Sequence, residues 1–287
     1  MELRHILAGA DETSAGRDAV ECAISLARRA SARVTVLRAL MTSARMARAG
    51  AATGNGWQSS EADASEIVRL QRWLTANVLT QESVPQVDFD IGYGVPGIEI
   101  CRYAEQNAVD LVVIGRKNRS QAARLLVGDT ADAVARRSRV PCLFVPHGDG
   151  DTKRLLVALD GSERGMTVLR HACDFARTIG ATLRILTVER APADEPQHLA
   201  ASVPVARTTS LEFKARELLK QSGMSFGGIH VCRGDVVGCI LAALEESGTE
   251  TLVIGCHRGG PPGIIEAGSN ARRLLHTAPV PVLTIPL

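Results

Sequence analysis

The residues best suited to hold an anion lie near the carboxyl terminus. Gly255 follows Ile254 at the end of an apolar run, Arg258 and Gly259 come next, and Gly268-Ser269-Asn270 opens a segment of helical period. Glycine has no Cβ, so the backbone at Gly255 can approach a phosphate closely. A helix starting near Ser269 offers free N–H groups and a positive dipole end, both of which favour negative charge, and a hydroxyl there assists without adding charge. Asp160 ends another apolar run, and it faces the same crevice as Gly255 if the two runs are neighbouring strands. A structural reading competes: Asp160-Gly161-Ser162 makes a turn and Ser269 is only an N-cap.

The chain that must position these residues repeats itself. Displacing it by 140 residues superposes Val113-Ile114-Gly115 on Val253-Ile254-Gly255, Gly128 on Gly268 and Val140-Pro141 on Val280-Pro281. A displacement of 149 superposes Ile6 to Asp11 on Leu155 to Asp160. The total of 287 residues fits two domains of roughly 140 residues each. Residues 1–147 form the first copy, 148–152 the linker and 153–287 the second.

In each copy short β-branched runs alternate with helix-period segments, which predicts parallel strands joined by right-handed crossover helices. Strands are expected at Ile6–Ala10, Val34–Leu40, Val87–Ile91, Leu111–Gly115 and Cys142–Pro146, then at Leu155–Leu159, Leu183–Val188, Ile229–Cys232, Leu252–Gly255 and Val282–Pro286. Helices are expected at Gly16–Ala30, Gly165–Ile179 and Ser210–Gln221. The fold class is therefore α/β, as two tandem, open, five-stranded parallel doubly wound domains. With 45% hydrophobic but only 3% aromatic residues, their cores must be aliphatic. In such a sheet ligands lie where the strand order reverses, here between the first and fourth strands. Met41 to Ser60 reads as a surface insertion before a helix carrying Trp73.

Composition narrows the function classes. A formal net charge of +2 with scattered basic residues, and few aromatics for base stacking, gives no footprint for nucleic acid or an acidic membrane. No apolar run is long enough for a signal peptide core or a membrane span, so a cytoplasmic location is expected. The seven cysteines contain no C-x-x-C pair and read as small buried hydrophobes, and the histidines lack ligand spacing, so no metal is expected apart from nucleotide-bound Mg.

Two motifs suggest enzymes. Gly223-Met224-Ser225-Phe226-Gly227 fits the serine-hydrolase elbow G-x-S-x-G, but a helix precedes it and a strand follows, the reverse of the required context. Gly223 reads instead as a helix cap. Gly92-Tyr93-Gly94-Val95-Pro96-Gly97 fits G-x-G-x-x-G and leaves an NAD(P)-dependent oxidoreductase as an alternative. Against it, the turn follows an edge strand and its acidic partner, Asp110, lies at the beginning rather than the end of the next strand. There is no G-x-x-x-x-G-K-[ST] and no evident general base, so an enzyme is not expected, slow ATP hydrolysis aside.

A first strand ending in Asp, a fourth ending in Gly and a Gly-Ser opening the last helix resemble the universal stress proteins, whose nucleotide-binding members carry G-x-x-G-x9-G-[ST]. The second copy has Gly255, Arg258 in place of the second glycine with Gly259 one position late, and Gly268-Ser269. The first copy has Gly115, Asn118 and Gly128-Asp129, and lacks both the second glycine and the hydroxyl. Asp129 can take the N–H groups a phosphate would use and repels it, so the first copy should bind nucleotide poorly.

The resemblance implies an adenine nucleotide alpha hydrolase-like fold and ATP or another adenine nucleotide in the second copy. Asp160 would lie at the nucleoside end, the backbone near Val188 at the adenine, and Ile254, Gly255, Arg258, Gly259, Gly268, Ser269 and Asn270 around the remainder. It implies a stress-response binding or signalling protein with a protein partner, with a nucleotide-independent interaction module as the alternative. The apolar terminal strands of the two copies are expected to pair within the chain about a pseudo-two-fold, and two chains to associate as a homodimer.

Overall fold

The computed structural model describes residues 2–41, 61–78, 86–116, 129–147, 152–189, 201–202, 209–224, 228–256 and 269–287. The chain divides into two compact units, Leu3–Asp149 and Gly150–Leu287. The first contains β1 (His5–Gly9), α1 (Ser14–Ala30), β2 (Arg33–Leu40), α2 (Glu61–Asn77), β3 (Val87–Tyr93), α3 (Pro96–Gln106), β4 (Leu111–Gly115), α4 (Asp129–Arg137) and β5 (Cys142–Val145). Its strands lie in the order β3-β2-β1-β4-β5, all parallel.

The second unit contains β6 (Arg154–Leu159), α5 (Glu163–Ile179), β7 (Thr182–Glu189), β8 (Ala201–Ser202), α6 (Thr209–Gln221), β9 (Ile229–Arg233), α7 (Val236–Ser247), β10 (Thr251–Cys256), α8 (Ser269–Thr277) and β11 (Val282–Pro286). Its order is β11-β10-β6-β7-β9-β8, with the short β8 antiparallel to β9. Both units are doubly wound, as the alternation of strand and helix runs predicts. The two-residue β8 has no counterpart among the expected strands, because it carries no periodic signal of its own.

The central strands are buried on both faces. Leu111 to Ile114 and Leu252 to Ile254 are each at most 5% exposed, which accounts for their unbroken aliphatic runs. Helix α1 buries Ala19, Val20, Ala23, Ile24, Leu26 and Ala27, and α5 buries Leu169, Ala172, Cys173, Phe175 and Ala176, the three-and-four spacing of one apolar face. Both helices begin two residues before the glycine that opened the predicted segment. Thr13 caps α1 by accepting from Gly16 N at 3.2 Å, and Ser162 caps α5 by accepting from Gly165 N at 3.1 Å.

The amino ends of the first and fourth strands of each unit are tied by one carboxylate. Asp110 Oδ2 accepts from the backbone N of Arg4 at 2.8 Å and of His5 at 2.9 Å. Glu250 Oε2 accepts from Lys153 N at 2.9 Å and Arg154 N at 3.0 Å. Asp110 thus fixes the relative height of the strands far from any ligand crevice, a role opposite to the ribose contact that the G-x-G-x-x-G reading requires.

Candidate functional site

In both units the strand order reverses between the first and fourth strands, so their carboxyl ends frame the crevice. The two crevices differ. In the first unit the β1–β4 ladder runs to Gly9↔Ile114, the last residue of β1. In the second, the β6–β10 ladder stops at Val157↔Val253, while β6 continues to Leu159 and β10 to Cys256. The strands part there one pair earlier, leaving Ala158 and Ile254 unpaired with each other beneath Asp160 and Gly255.

Asp160 is exposed at the end of β6. Its Oδ1 accepts from Ser162 N at 3.0 Å and Ser162 Oγ at 2.6 Å, closing the turn that the structural reading proposed. The first unit repeats this turn, with Asp11 Oδ1 accepting from Thr13 N at 3.2 Å and from Thr13 Oγ1. The turn alone therefore does not distinguish a ligand site. The residue after the Asp distinguishes the two units, being Glu12 in the first and Gly161 in the second. Gly161 has φ +75°, and among the described residues the nearest heavy atom to a Cβ placed there is Leu211 Cδ2 at 3.9 Å. Thr187 is buried, its Oγ1 donating to Leu159 O at 3.0 Å, and Val188, half-buried, comes next on β7.

Gly255 faces packing rather than open space. A Cβ there would lie 2.7 Å from Leu287 Cδ1 and 2.9 Å from Val168 Cγ2. At Gly115 it would lie 1.9 Å from the carbonyl oxygen of Ala15, so that glycine lets α1 press its first turn against β4. Ser269 is the first residue of α8 and Asp129 the first of α4, as the spacing predicts, and Asn270 is half-buried in the first turn. Arg258, Gly259 and Gly268, and in the first unit Lys117, Asn118, Arg119, Arg124 and Gly128, lie outside the described residues. Arg116, at the end of β4, is held well below the usual guanidinium range, at about 10, by burial.

The first crevice carries a feature missed from sequence. Glu12, directly after Asp11, accepts from Arg69 Nε at 2.7 Å and Nη2 at 3.3 Å, and Arg38 Nη1 lies 3.4 Å from it. Glu66 on α2 lies 3.5 Å from Arg38 Nε and 3.4 Å from Arg69 Nη1. The four side chains join the turn after β1, the end of β2 and helix α2. The charges were visible in the sequence, but only the pairing of β2 with β1 brings Arg38 beside Glu12.

The decoy motifs resolve into packing. Gly94 has φ +140°, and a Cβ on Gly97 would lie 2.5 Å from Ala133 Cβ, so these glycines turn the chain and seat α3 against α4 beside the edge strand β3. Gly223 has φ +68°, with Gly223 N donating to Lys220 O and Met224 N to Leu219 O, a helix-terminating motif. Ser225 to Gly227 lie outside the described residues. None of the seven cysteines forms a disulfide, and six are buried. Burial pushes the Cys173 thiol up to about 11 and, together with Cys232, the Cys239 thiol up to about 12. Among the described residues no group of three or more His, Cys, Asp or Glu side chains is placed to hold a metal, and no helix is long and apolar enough to cross a membrane.

The family model described as universal stress protein family matches the chain twice, over residues 2–146 and 151–286. Curated universal stress proteins of Mycobacterium bovis and Mycobacterium tuberculosis are each 26% identical over 199 residues, covering 63% of this chain and 66% of their own length. Among solved structures, a universal stress protein of Archaeoglobus fulgidus is 17% identical with a TM-score of 0.72, covering 100% of this chain and 99% of that one. At these identities the structural likeness speaks for the fold.

Proposed function

The chain belongs to the universal stress protein family, and from that premise we propose that it is a stress-response binding and signalling protein whose second unit holds an adenine nucleotide. The observation that carries the reading is the early end of the β6–β10 pairing at Val157↔Val253, at the strand-order reversal and beside Gly161, where the first unit has Glu12. At the corresponding step, Gly9↔Ile114, the first unit's strands are still paired. The exposed Asp160 then serves the nucleoside end, the end of β7 at Val188 borders the base, and the first turn of α8, begun by Ser269 and Asn270, receives phosphate through its N–H groups.

The residues present fit such a ligand at its nucleoside end, because a flank of Gly161, Thr187 and Leu211 is small or apolar and needs no charge to be desolvated. Binding without rapid turnover is part of the proposal, in a cytoplasmic setting. Purified chain is denatured and its released small molecules identified by mass spectrometry, and calorimetry then measures ATP binding. About one adenine nucleotide per chain is expected. Absence of bound nucleotide together with no heat of binding would favour a nucleotide-independent interaction module.

A further inference from the structure

We infer that the Glu12–Arg38–Glu66–Arg69 network shuts the first unit's crevice to a nucleoside, independently of its altered phosphate end. The inference rests on the reading of the second unit as a nucleotide site, because it compares the same flank in the two copies. Glu12 corresponds to Gly161 and Arg38 to Thr187, each one step along the same repeat as Asp11 and Asp160. Helices α2 and α6 align through their buried pairs, Leu70 and Leu74 against Ala215 and Leu219, which sets Glu66 opposite Leu211 and Arg69 opposite Lys214.

In the first unit this flank is thus two Glu and two Arg side chains joined by contacts of 2.7–3.5 Å, and in the second it is Gly161, Thr187, Leu211 and Lys214, the last paired with Glu163. The Arg38 side chain is only 13% exposed, and among the described residues Arg38 Nη1 and Glu66 Oε2 are shielded from solvent without a hydrogen bond. A largely buried guanidinium tolerates separation from its carboxylates badly: a base seated over the carboxyl ends of β1 and β2 must part Arg38 from Glu12 or Glu66. Glu12 also ties the turn after β1 to α2, so that flank cannot swing outward without breaking a two-point Arg69 contact. In the second unit Lys214 on α6 pairs instead with Glu163 at the start of α5, a contact exposed to water on both sides.

The test uses the full chain and adenosine, which has no phosphate and so is indifferent to Asp129 and Asn118. The variant E12G/R38T/E66L/R69K carries the second unit's residues on the first unit's flank. Calorimetry is expected to show one more adenosine bound per chain than in the parent. No gain in a variant that keeps a cooperative melt overturns the inference. The parent's own stoichiometry decides the separate question of the second unit: a parent binding none, with a variant binding one, refutes the second-unit site and leaves the closure standing. The reciprocal variant T187R/L211E covers the case in which the first does not fold. It should weaken the parent's binding by at least roughly tenfold, and unchanged affinity overturns the inference.

Discussion

Replacing each fourth-strand glycine by alanine should have very different consequences in the two units. In Gly115→Ala the new Cβ meets the carbonyl oxygen of Ala15 at 1.9 Å and its carbonyl carbon at 2.4 Å. Restoring an ordinary contact requires α1 to retreat by more than about 1 Å, and α1 is a capped helix packed along its whole apolar face, so the strain spreads through the core. A loss of at least about 3 kcal/mol is expected, at or above the upper end of overpacking costs. In Gly255→Ala the Cβ meets Leu287 Cδ1 at 2.7 Å and Val168 Cγ2 at 2.9 Å, the tips of rotatable side chains, one of them on the last residue of the sequence given. A rotamer change of Leu287 and a small shift of Val168 relieve this, and about 1 kcal/mol is expected. Urea unfolding followed by hydrogen exchange, which reports each unit's peptides separately, measures both. Adenosine affinity of Gly255→Ala should change by less than about tenfold, because the added methyl points toward Val168 and Leu287. Equal losses of stability, or a tolerated Gly115→Ala, would refute the packing argument. A Gly255→Ala chain that stays folded but no longer binds would show that this glycine serves the ligand.

Ser31 and Ala108 hold φ of +55° and +48° where the second unit has Gly180 and Gly248, so Ser31→Gly and Ala108→Gly should each stabilise the first unit by about 0.5–1 kcal/mol, read as a raised urea midpoint. Burial holds the His5 imidazole below its usual range, reinforced by Arg33 and partly offset by the Asn107 carbonyl and by Asp110 and Asp88. The unfolded chain therefore takes up the proton first: the stability tied to neutral His5 is complete above about pH 6.5 and is lost as pH falls toward the depressed folded value, and His5→Gln should flatten that part of the urea-midpoint profile. Ser269→Asp should weaken ATP more than tenfold while changing adenosine affinity by less than about threefold, since a carboxylate at the start of α8 acts on the phosphate end alone. Equal effects on the two ligands in calorimetry would contradict that placement.

The central strands were legible because their aliphatic runs are buried on both faces, and across all the expected strands the observed bounds differ by at most two residues at either end. Helix starts were read late because Gly16 and Gly165 look like boundaries in a sequence, whereas the boundary is set by the Thr13 and Ser162 hydroxyls three residues earlier. The crevice could be located from the repeat and the handedness of crossovers, and the Asp160 turn from its residue types. The early parting of β6 and β10 could not be read, since Ala158 and Ile254 are ordinary strand residues. Nor could the Arg38 network, whose members lie on the β1 turn, β2 and α2 and meet only through tertiary structure. Sequence comparison of the copies stressed Asp129 against Ser269, a difference at the phosphate end, and passed over Glu12 against Gly161 at the other.

The pattern of agreement between the copies bears on what their differences mean. Positions that the fold itself needs are kept in kind: a carboxylate at Asp110 and Glu250 joining the strand starts, a hydroxyl cap at Thr13 and Ser162, and a glycine after each cap where a Cβ would strike the preceding Asp. Around the crevice the kind itself changes, from Glu12, Arg38 and Glu66 to Gly161, Thr187 and Leu211. Glu12 and Glu66 and their counterparts lie on a turn and on a helix, whereas Arg38 and Thr187 lie within paired strands. A purely structural drift there would scatter polar residues singly. Instead the first unit has four mutually paired charges across three segments, and the second has none of the four pairs on the corresponding residues. Pairing across three segments needs its members together, because any one of them alone leaves a half-buried charge without its partner. In the second unit three of the four positions are uncharged and the fourth, Lys214, pairs with the exposed Glu163, which leaves the flank of Gly161, Thr187 and Leu211 free of buried charge for something apolar and planar to lie against.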